Sequence, residues 1–260
     1  MESFEERWAA LRARLEGFET LAVAFSGGVD SSVLLYAAQE ALGERAAGLI
    51  ADSPSLPRRE LAEARAFAAS IDARLEVLET GELAQPGYRA NRGDRCYFCR
   101  GALFESMEDW ARRAGFAALA YGEISDDLRE VRPGRRAAVE FGVVAPLREA
   151  AFSKEDVRRY AREHGLSVAE KTASACLASR IPVGTEVTRE RLARIERAEE
   201  ALRALGLRVL RVRDHGSRAR VEVGEAELAL AGGMRAELEA RLAPLGFADL
   251  ELAIYARAQG

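Results

Sequence analysis

The feature that most constrains the fold is a regular alternation of short apolar runs and amphipathic segments over the first two-thirds of the chain. The apolar runs lie at residues 21–25, 47–51, 75–78, 118–121 and 142–145. The segments between them have apolar positions at helical spacing, notably at residues 31–42, 58–70, 102–114 and 154–164. Strand, helix and strand in this order predict an α/β fold with a doubly wound parallel sheet. Ligands of such sheets bind beyond the carboxyl ends of the strands.

The pattern changes near Thr188, which we expect to cap a helix. The apolar residues of that helix fall on one stripe: Leu192, Ile195, Ala198, Leu202 and Leu205. Strands are predicted at 208–213 and 218–223, joined by a hairpin loop at 214–217, with a last strand near 250–254. An antiparallel hairpin does not belong in a parallel sheet. We therefore expect residues 1–180 to form the parallel-sheet domain and residues 181–260 a smaller α+β domain.

Composition excludes several classes of protein. There are 38 Lys and Arg against 42 Asp and Glu, a formal charge of −4, which argues against a broad nucleic-acid surface. No apolar run approaches the ~18 residues that a membrane span needs, and the charged N-terminal pattern is not that of a signal peptide. Three cysteines do not suit a framework of paired disulfides. We expect a cytoplasmic protein that binds neither membrane nor nucleic acid.

A glycine-rich string, SGGVDSS at residues 26–32, directly follows the first apolar run and opens a helix. Glycines let backbone N–H groups approach an anion closely, and the helix N-terminus adds partial positive charge. The string has neither the lysine of a Walker loop nor the spacing of a dinucleotide fingerprint. An ordinary strand-to-helix turn is the alternative, but the full string favours a phosphate site.

The cysteines form a second constellation. Cys96 and Cys99 stand at the start of a helical pattern, and Cys176 lies eighty residues further on. A Cys-x-x-Cys pair places two sulfurs on one side of a helix start, which suits a metal, a cluster or thiol–disulfide exchange. Three thiolates on a [4Fe–4S] cluster would leave one iron open to another ligand. The alternative is three small buried side chains.

The glycine-rich string resembles the PP-loop of the N-type ATP pyrophosphatases, which cleave ATP between its α- and β-phosphates. The resemblance implies that pyrophosphate is held by Ser26, Gly27, Gly28, Ser31 and Ser32. It also implies that Asp30 orders the loop or its Mg²⁺. Asp52 and Ser53 follow the second strand, where this family holds the nucleoside; a helix N-terminal turn is the alternative for these two residues.

Further motifs narrow the resemblance. They are RCYFCR at 95–100, RPGR at 132–135, APLR at 145–148, ASACLASR at 173–180, RVRDHG at 211–216 and ARVEV at 219–223. Together and in this order they are similar to the LarE family of ATP-dependent sulfur transferases, which help to build the nickel-pincer nucleotide cofactor. Thr172 in place of the usual proline, the segment 122–127 and the tail from 250 depart from the family pattern.

The family resemblance implies a reaction. Members adenylate the carboxylates of pyridinium-3,5-biscarboxylic acid mononucleotide and convert them to thiocarboxylates. Members with three cysteines bind a [4Fe–4S] cluster, which implies Cys96, Cys99 and Cys176 as its ligands. In members with one cysteine, the residue matching Cys176 gives up its own sulfur, so a sacrificial role for Cys176 stays open. Implied partners are the mononucleotide, sulfide or another sulfur donor, and further copies of the chain in a homo-oligomer.

Charged residues of the second domain complete the candidate site. Period-two alternation puts Arg211 and Arg213 on one face of a strand, and the resemblance favours both as ligands of the substrate phosphate. Ser179 and Arg180, just after Cys176, are further candidates for holding a phosphate. Glu199 and Glu222 are candidates for a divalent ion; a solvated charged face is the alternative.

Three other functions compete with this one. A PP-loop enzyme that thiolates a tRNA base could also carry three cysteines, but the chain lacks a basic RNA-binding extension. An amidotransferase or synthetase such as NAD synthetase needs no cysteine trio. A nucleotide-binding sensor would bind ATP without turnover.

Overall fold

The computed structural model describes residues 3–129, 133–172 and 174–255 of the chain. The apolar runs of the first part pair into one parallel sheet with strand order β3-β2-β1-β4. The strands are β1 (Leu21–Ala24), β2 (Ala46–Asp52), β3 (Leu75–Glu79) and β4 (Ala118–Tyr121). This arrangement confirms the predicted α/β class.

Helices cover both faces of this sheet. They are α1 (Phe4–Glu16), α2 (Val29–Leu42), α3 (Arg58–Ser70), α5 (Arg95–Ala114), α6 (Pro133–Glu140), α7 (Pro146–Glu149) and α8 (Lys154–Glu163). Val23 belongs to a core with α1, α2, α3 and α8, whereas its neighbour Ala22 belongs to a core with α5 and α6. The central strands β1 and β2 are buried on both faces, as parallel strands flanked by helices must be, whereas the edge strand β3 is only partly buried.

The fifth apolar run does not form a strand. Val144 makes only an isolated parallel bridge to Ala120. Pro146 begins α7 two residues later, and proline cannot donate a hydrogen bond to a strand ladder. The expectation of a strand at 142–145 was therefore wrong.

The second part of the chain forms a three-stranded sheet with order β5-β6-β7. Its elements are α9 (Arg189–Arg203), β5 (Leu210–His215), β6 (Arg218–Val223), α10 (Leu228–Gly233), α11 (Arg235–Leu242) and β7 (Asp249–Ile254). The short helix α4 (Pro86–Ala90), from the first part of the chain, belongs to the same unit. Thr188 caps α9, as predicted, by accepting a hydrogen bond from the backbone N of Arg191. The predicted hairpin joins β5 and β6, while β7 pairs with β6 in parallel.

Two compact units result. The described residues up to 82 and from 94 to 174 form the first unit; residues 83–93 and 175–255 form the second. The second unit begins a few residues before the predicted boundary at 180 and takes in a segment from the first part of the chain. Asn91 explains this segment, since its side-chain amide donates to the carbonyls of Pro182 and Thr185 at 2.8 and 3.1 Å.

Candidate active site

The loop between β1 and α2 has the geometry of an anion-binding turn. Gly27 has a φ of +70°, which glycine adopts without strain. A Cβ at Gly27 would lie 3.0 Å from the Cβ of Ala64 in α3. Gly28 is the N-cap of α2, and no side chain of the described residues caps the helix there. The first-turn N–H groups are therefore available to an anion, and the helix dipole favours negative charge at this point.

Serine hydroxyls shape this turn. The Ser26 Oγ lies 3.0 Å from the Ser31 Oγ, which also accepts a hydrogen bond from the backbone N of Ser26 at 3.2 Å. The Ser31 hydroxyl is 3.1 Å from the carbonyl oxygen of Gly28, to which it can donate. The Ser32 Oγ is buried and has no hydrogen-bond partner among the described residues. Ser26 and Ser31 thus hold the loop in shape before any ligand binds.

Gly122, which sequence analysis did not single out as a site residue, lies against the N-terminus of α2. It directly follows β4, the strand that pairs with β1. A Cβ at Gly122 would lie 2.8 Å from the backbone N of Ser31 and 3.0 Å from the carbonyl carbon of Asp30. Any side chain would therefore displace the anion-binding turn. Its position after a strand, at the carboxyl edge of the sheet, is the sequence signal that could have identified it.

The loop lacks a lysine of its own, but α8 supplies one. The Lys154 Nζ lies 2.7 Å from each carboxylate oxygen of Asp30. The backbone N of Lys154 donates to the Asp126 carboxylate at 2.6 Å, which fixes the start of α8 beside the loop. Lys154 was not identified from the sequence because the residue lies more than a hundred positions beyond Asp30. A Mg²⁺ role for Asp30 stays a prediction, since a lysine ammonium contacts both of its oxygens here.

The side chains of Asp52 and Ser53 are engaged within the first unit. Asp52 forms an ion pair with Arg58. The buried Ser53 hydroxyl donates to the Glu82 carboxylate and lies 2.7 Å from the hydroxyl of Ser55. These contacts shape the turn after β2, and the role of Asp52 and Ser53 in holding a nucleoside stays a prediction.

Cys96 and Cys99 lie in the first turn and a half of α5, three residues apart and thus on one side of the helix. The Cys96 side chain is exposed and that of Cys99 is partly exposed, as is that of Cys176 in the second unit. None of these three described cysteines forms a disulfide bond. The alternative of three small core residues therefore does not describe them.

Arg180 and Glu199 form a buried ion pair that holds the segment of Cys176. The Arg180 guanidinium donates to both Glu199 carboxylate oxygens, at 2.8 and 3.2 Å, and the two residues are 4% and 5% exposed. Its Nη1 also donates to the carbonyls of Ala175 and Cys176, at 2.5 and 3.0 Å, and lies 3.2 Å from the Ser179 hydroxyl. All three guanidinium nitrogens are thus engaged inside the protein. Glu199 is equally occupied, since it also accepts from the backbone N of Val212.

Arg211 and Arg213 share one face of β5, as the alternation predicts, and differ in their partners. Arg213 donates to the Glu222 carboxylate at 2.5 Å and to the carbonyl of Ser179 at 3.3 Å. The Arg211 guanidinium stacks 4.4 Å above the ring of Tyr255 and pairs with no carboxylate of the described residues. Burial, and secondarily the nearby Arg180 charge, lower the pKa of Arg211. The Glu222 Oε2 is buried without a partner among those residues.

Two features are absent from the described residues. No three His, Cys, Asp or Glu side chains within residues 3–129, 133–172 and 174–255 are grouped so that they could hold a metal ion. Over the same residues, no helix is long and apolar enough to cross a membrane.

Comparison with known proteins first defines the class. The NAD synthase family model matches residues 5–88, which contain β1, the glycine-rich loop and α2. The argininosuccinate synthase of Natronomonas pharaonis is 29% identical over 161 residues, covering 57% of this chain and 40% of that protein. Together with the parallel sheet and the loop geometry, these matches place the chain among the PP-loop, ATP-using proteins.

Two further relatives match most of the chain. An uncharacterised protein of Synechocystis sp. is 40% identical over 219 residues, or 84% of this chain and 82% of that protein. The pyridinium-3,5-bisthiocarboxylic acid mononucleotide synthase of Lactiplantibacillus plantarum is 34% identical over 229 residues, or 88% of this chain and 83% of the synthase. The chain belongs to the family of this synthase, the LarE family.

Proposed function

We propose that this protein is an ATP-dependent sulfur transferase that converts the carboxylates of pyridinium-3,5-biscarboxylic acid mononucleotide to thiocarboxylates. A relative of 34% identity over most of the chain bears the name of the synthase of the corresponding bisthiocarboxylic product. The observation that carries the proposal is the first βα turn, where glycines leave an uncapped helix N-terminus open to an anion.

The first step would be adenylation. A substrate carboxylate oxygen attacks the α-phosphorus of ATP, the bond to the bridging oxygen of the β-phosphate breaks, and pyrophosphate leaves. The N–H groups of α2 and the Ser32 hydroxyl would hold the pyrophosphate, because helix N-termini stabilise phosphoryl oxygens. Lys154 supports this role, since it brings a cation beside the loop.

The second step would be sulfur transfer. A hydrosulfide sulfur attacks the acyl carbon of the adenylate, AMP leaves with the former carboxylate oxygen, and the thioacid that forms loses its proton to give a thiocarboxylate. If the attacking sulfur is instead the Cys176 thiolate, a thioester forms first; its Cβ–Sγ bond then breaks as the Cα proton is lost, which leaves the thiocarboxylate and dehydroalanine. Each carboxylate thus consumes one ATP and one sulfur atom. The sulfur comes from sulfide or a sulfur donor in the main proposal, or from the Cys176 side chain in the alternative.

Arg211 and Arg213 would bind the phosphate of the mononucleotide. Arg211 supports this assignment best, because it is half-buried and pairs with no carboxylate of the described residues. A guanidinium in such surroundings gains from a dianionic phosphate. Arg180 would act through the Cys176 segment, and Ser179 would border the phosphate through its link to Arg213.

A [4Fe–4S] cluster would be held by Cys96, Cys99 and Cys176. The helical pair offers two thiols on one side of α5, and both are at least partly exposed. When bound, such a cluster supplies one iron without a protein thiolate.

Mg²⁺ would accompany ATP. Glu222 is a further candidate ligand for the ion, because its Oε2 has no partner in the described chain. We place the protein in the cytoplasm as a homo-oligomer.

Product analysis tests this function. The protein, handled without oxygen, is incubated with ATP, Mg²⁺, sulfide and the biscarboxylic mononucleotide, and the product is identified by mass spectrometry. We expect replacement of carboxylate oxygen by sulfur, and loss of this product in Gly122→Ala, whose Cβ would collide with the Ser31 N. Gly232→Ala in α10 is the matched control, since no atom lies within 4 Å of its Cβ position. An unchanged substrate after full incubation would refute the assignment.

A further inference from the structure

We propose that the first unit contains a second anion site, formed by Arg100, Arg135 and Arg148 around Glu123 and adjoining the phosphate loop. Its ligand is an oxyanion of the reacting pair, either a substrate carboxylate or the α-phosphoryl group of ATP. This inference rests on the proposed function and adds to it the groups that hold the reacting oxyanion.

Glu123 is the centre of the cluster. It follows Gly122 at the end of β4 and is 3% exposed. Its Oε2 accepts a hydrogen bond from the Arg148 Nη1 at 2.5 Å, and its Oε1 lies 3.6 Å from the Arg135 Nε. One buried carboxylate therefore faces two guanidinium groups, each with five N–H donors. The other donors of these two arginines have no protein acceptor among the described residues.

Arg100 adds a third positive charge. Its guanidinium carbon lies 5.5 Å from the centroid of the Tyr121 ring, and it pairs with no carboxylate in the part of the chain that the structure describes. Burial, followed by the hydrogen bond to Glu123, raises the pKa of Tyr121, so this hydroxyl stays neutral. Three guanidinium groups and one carboxylate leave the described cluster with a net charge of +2.

A glycine makes room for Arg100. A Cβ at Gly134 in α6 would lie 2.5 Å from the Arg100 Cδ and 2.9 Å from its Nε. The Arg100 side chain therefore runs against the backbone of α6, which directs its guanidinium towards Tyr121. This close approach is an observation independent of the charge count, and it can be tested without removing a charge.

The location identifies the class of ligand. Gly122, one residue before Glu123, lies against the backbone of Ser31 at the start of α2, where we place the pyrophosphate. The α-phosphoryl group adjoins the pyrophosphate, and the attacking carboxylate must meet it there. Guanidinium groups suit both oxyanions and would stabilise the charge that gathers as the bond forms.

Two probes distinguish the sources of the oxyanion: AMP and pyridine-3,5-dicarboxylate, each titrated calorimetrically into the full-length protein. We expect each of three variants to bind at least one probe about tenfold more weakly, equivalent to ~1.4 kcal/mol: Arg100→Gln, Arg135→Gln and Gly134→Ala. A loss confined to AMP assigns the α-phosphoryl group, and a loss confined to the dicarboxylate assigns the carboxylate. Arg136→Gln is the control, since Arg136 is 67% exposed and pairs with Glu140.

The controls separate this site from the loop and from the reaction. Inorganic pyrophosphate should bind every variant with wild-type affinity, and thermal melting should show that Gly134→Ala remains folded. Wild-type affinities for both probes in all three variants, or no binding of either probe to the wild type, would overturn the inference. A wild type that binds the probes but makes no thiocarboxylate would contradict the proposed function and leave the anion site standing.

Discussion

At the scale of single residues, Arg180 shows what a sequence motif can and cannot reveal. Its place after Cys176 in a specific motif suggested a contact to a substrate phosphate. In the structure its guanidinium lies between Glu199 and the carbonyls of the Cys176 segment. A pattern of residues indicates which side chains share a face, but partners that come from other elements of the fold have no local signature.

We therefore expect Arg180→Gln to lower the free energy of unfolding by about 3 kcal/mol, the low end for breaking a buried pair, because Glu199 keeps only the backbone N of Val212 and a 3.5 Å contact to Arg203. Urea denaturation followed by circular dichroism measures the loss. Arg197→Gln, on the same helix as Glu199 and with no ion pair to a described residue, is the control and should change stability by less than about 0.5 kcal/mol. A stable Arg180→Gln protein with weakened substrate binding would instead favour a direct phosphate contact.

Arg211 leads to the opposite expectation. Its guanidinium has a ring beneath it but no carboxylate partner within the described chain, so its removal breaks no ion pair there. Arg211→Gln should weaken binding of the mononucleotide roughly tenfold or more, since a charge-assisted hydrogen bond is worth ~1.5–3 kcal/mol. Calorimetry with the biscarboxylic mononucleotide measures this. ATP affinity should stay unchanged; a fall in ATP affinity would mean that the two phosphate sites have been confused.

At the scale of elements, the N-terminus of α8 has both a helix cap and a residue that contacts the phosphate loop. Ser153 caps the helix and forms a reciprocal capping box with Asp156. The Arg7 side chain of α1 pairs with the same carboxylate at 2.6 Å. The next residue after the cap is Lys154, which contacts Asp30. The cap therefore determines where the lysine meets the loop.

Asp156→Ala should destabilise the protein by about 1 kcal/mol or more, the usual cost of losing a helix cap.

The effect of Asp156→Ala should also depend on pH. Burial opposes ionisation of Asp156, but hydrogen bonds from Arg7 and Ser153 outweigh the effect of burial and lower the pKa of Asp156 below the ordinary 3.8. Its contribution is therefore complete above pH ~4 and is lost as the pH falls through the folded-state pKa. Denaturation at several pH values measures the difference in free energy of unfolding between the wild type and the variant. This difference should be constant near neutrality and shrink in acid. Glu155→Ala, at an exposed position of the same first turn, should show neither effect; a difference independent of pH would contradict the role of the Asp156 charge.

The main elements were largely predictable. Four of the five apolar runs are strands, because a buried parallel strand is a short apolar run with helices on either side. The run at 142–145 fails because a proline follows it at once. In the second unit β5 reaches His215, two residues beyond the prediction, and the hairpin turn shortens accordingly. Local sequence indicates a turn better than it indicates the last paired residue.

At the scale of the whole molecule, the division into units was the least predictable feature. Residues 83–93 belong to the second unit through contacts of Asn91 with carbonyls some ninety positions further on. No composition shift marks that segment. The cysteine pair belongs to the first unit and Cys176 to the second.

If one cluster joins these cysteines, each of Cys96→Ala, Cys99→Ala and Cys176→Ala should lower iron and acid-labile sulfide together in anaerobically purified protein. Sulfur transfer should be lost with the cluster, whereas adenylation should survive because no cysteine lies in the phosphate loop. Chemical iron and sulfide analysis is the readout that does not depend on activity.

Mass spectrometry of the protein after turnover tests the alternative, in which Cys176 gives up its own sulfur. Cys176 should remain intact, and its conversion to dehydroalanine would show that its own sulfur had been given up. Activity in the double variant Cys96→Ala, Cys99→Ala would point the same way, since the cluster would then be dispensable.

The central claim is that the glycine-rich turn holds pyrophosphate while a carboxylate is adenylated. The most direct measurement is the identity of the nucleotide products when the protein is incubated with ATP, Mg²⁺ and the biscarboxylic mononucleotide, without a sulfur source and with hydroxylamine to capture the acyl group. We predict AMP and pyrophosphate in equal amounts, dependent on the mononucleotide. ADP and inorganic phosphate as the products would contradict the account.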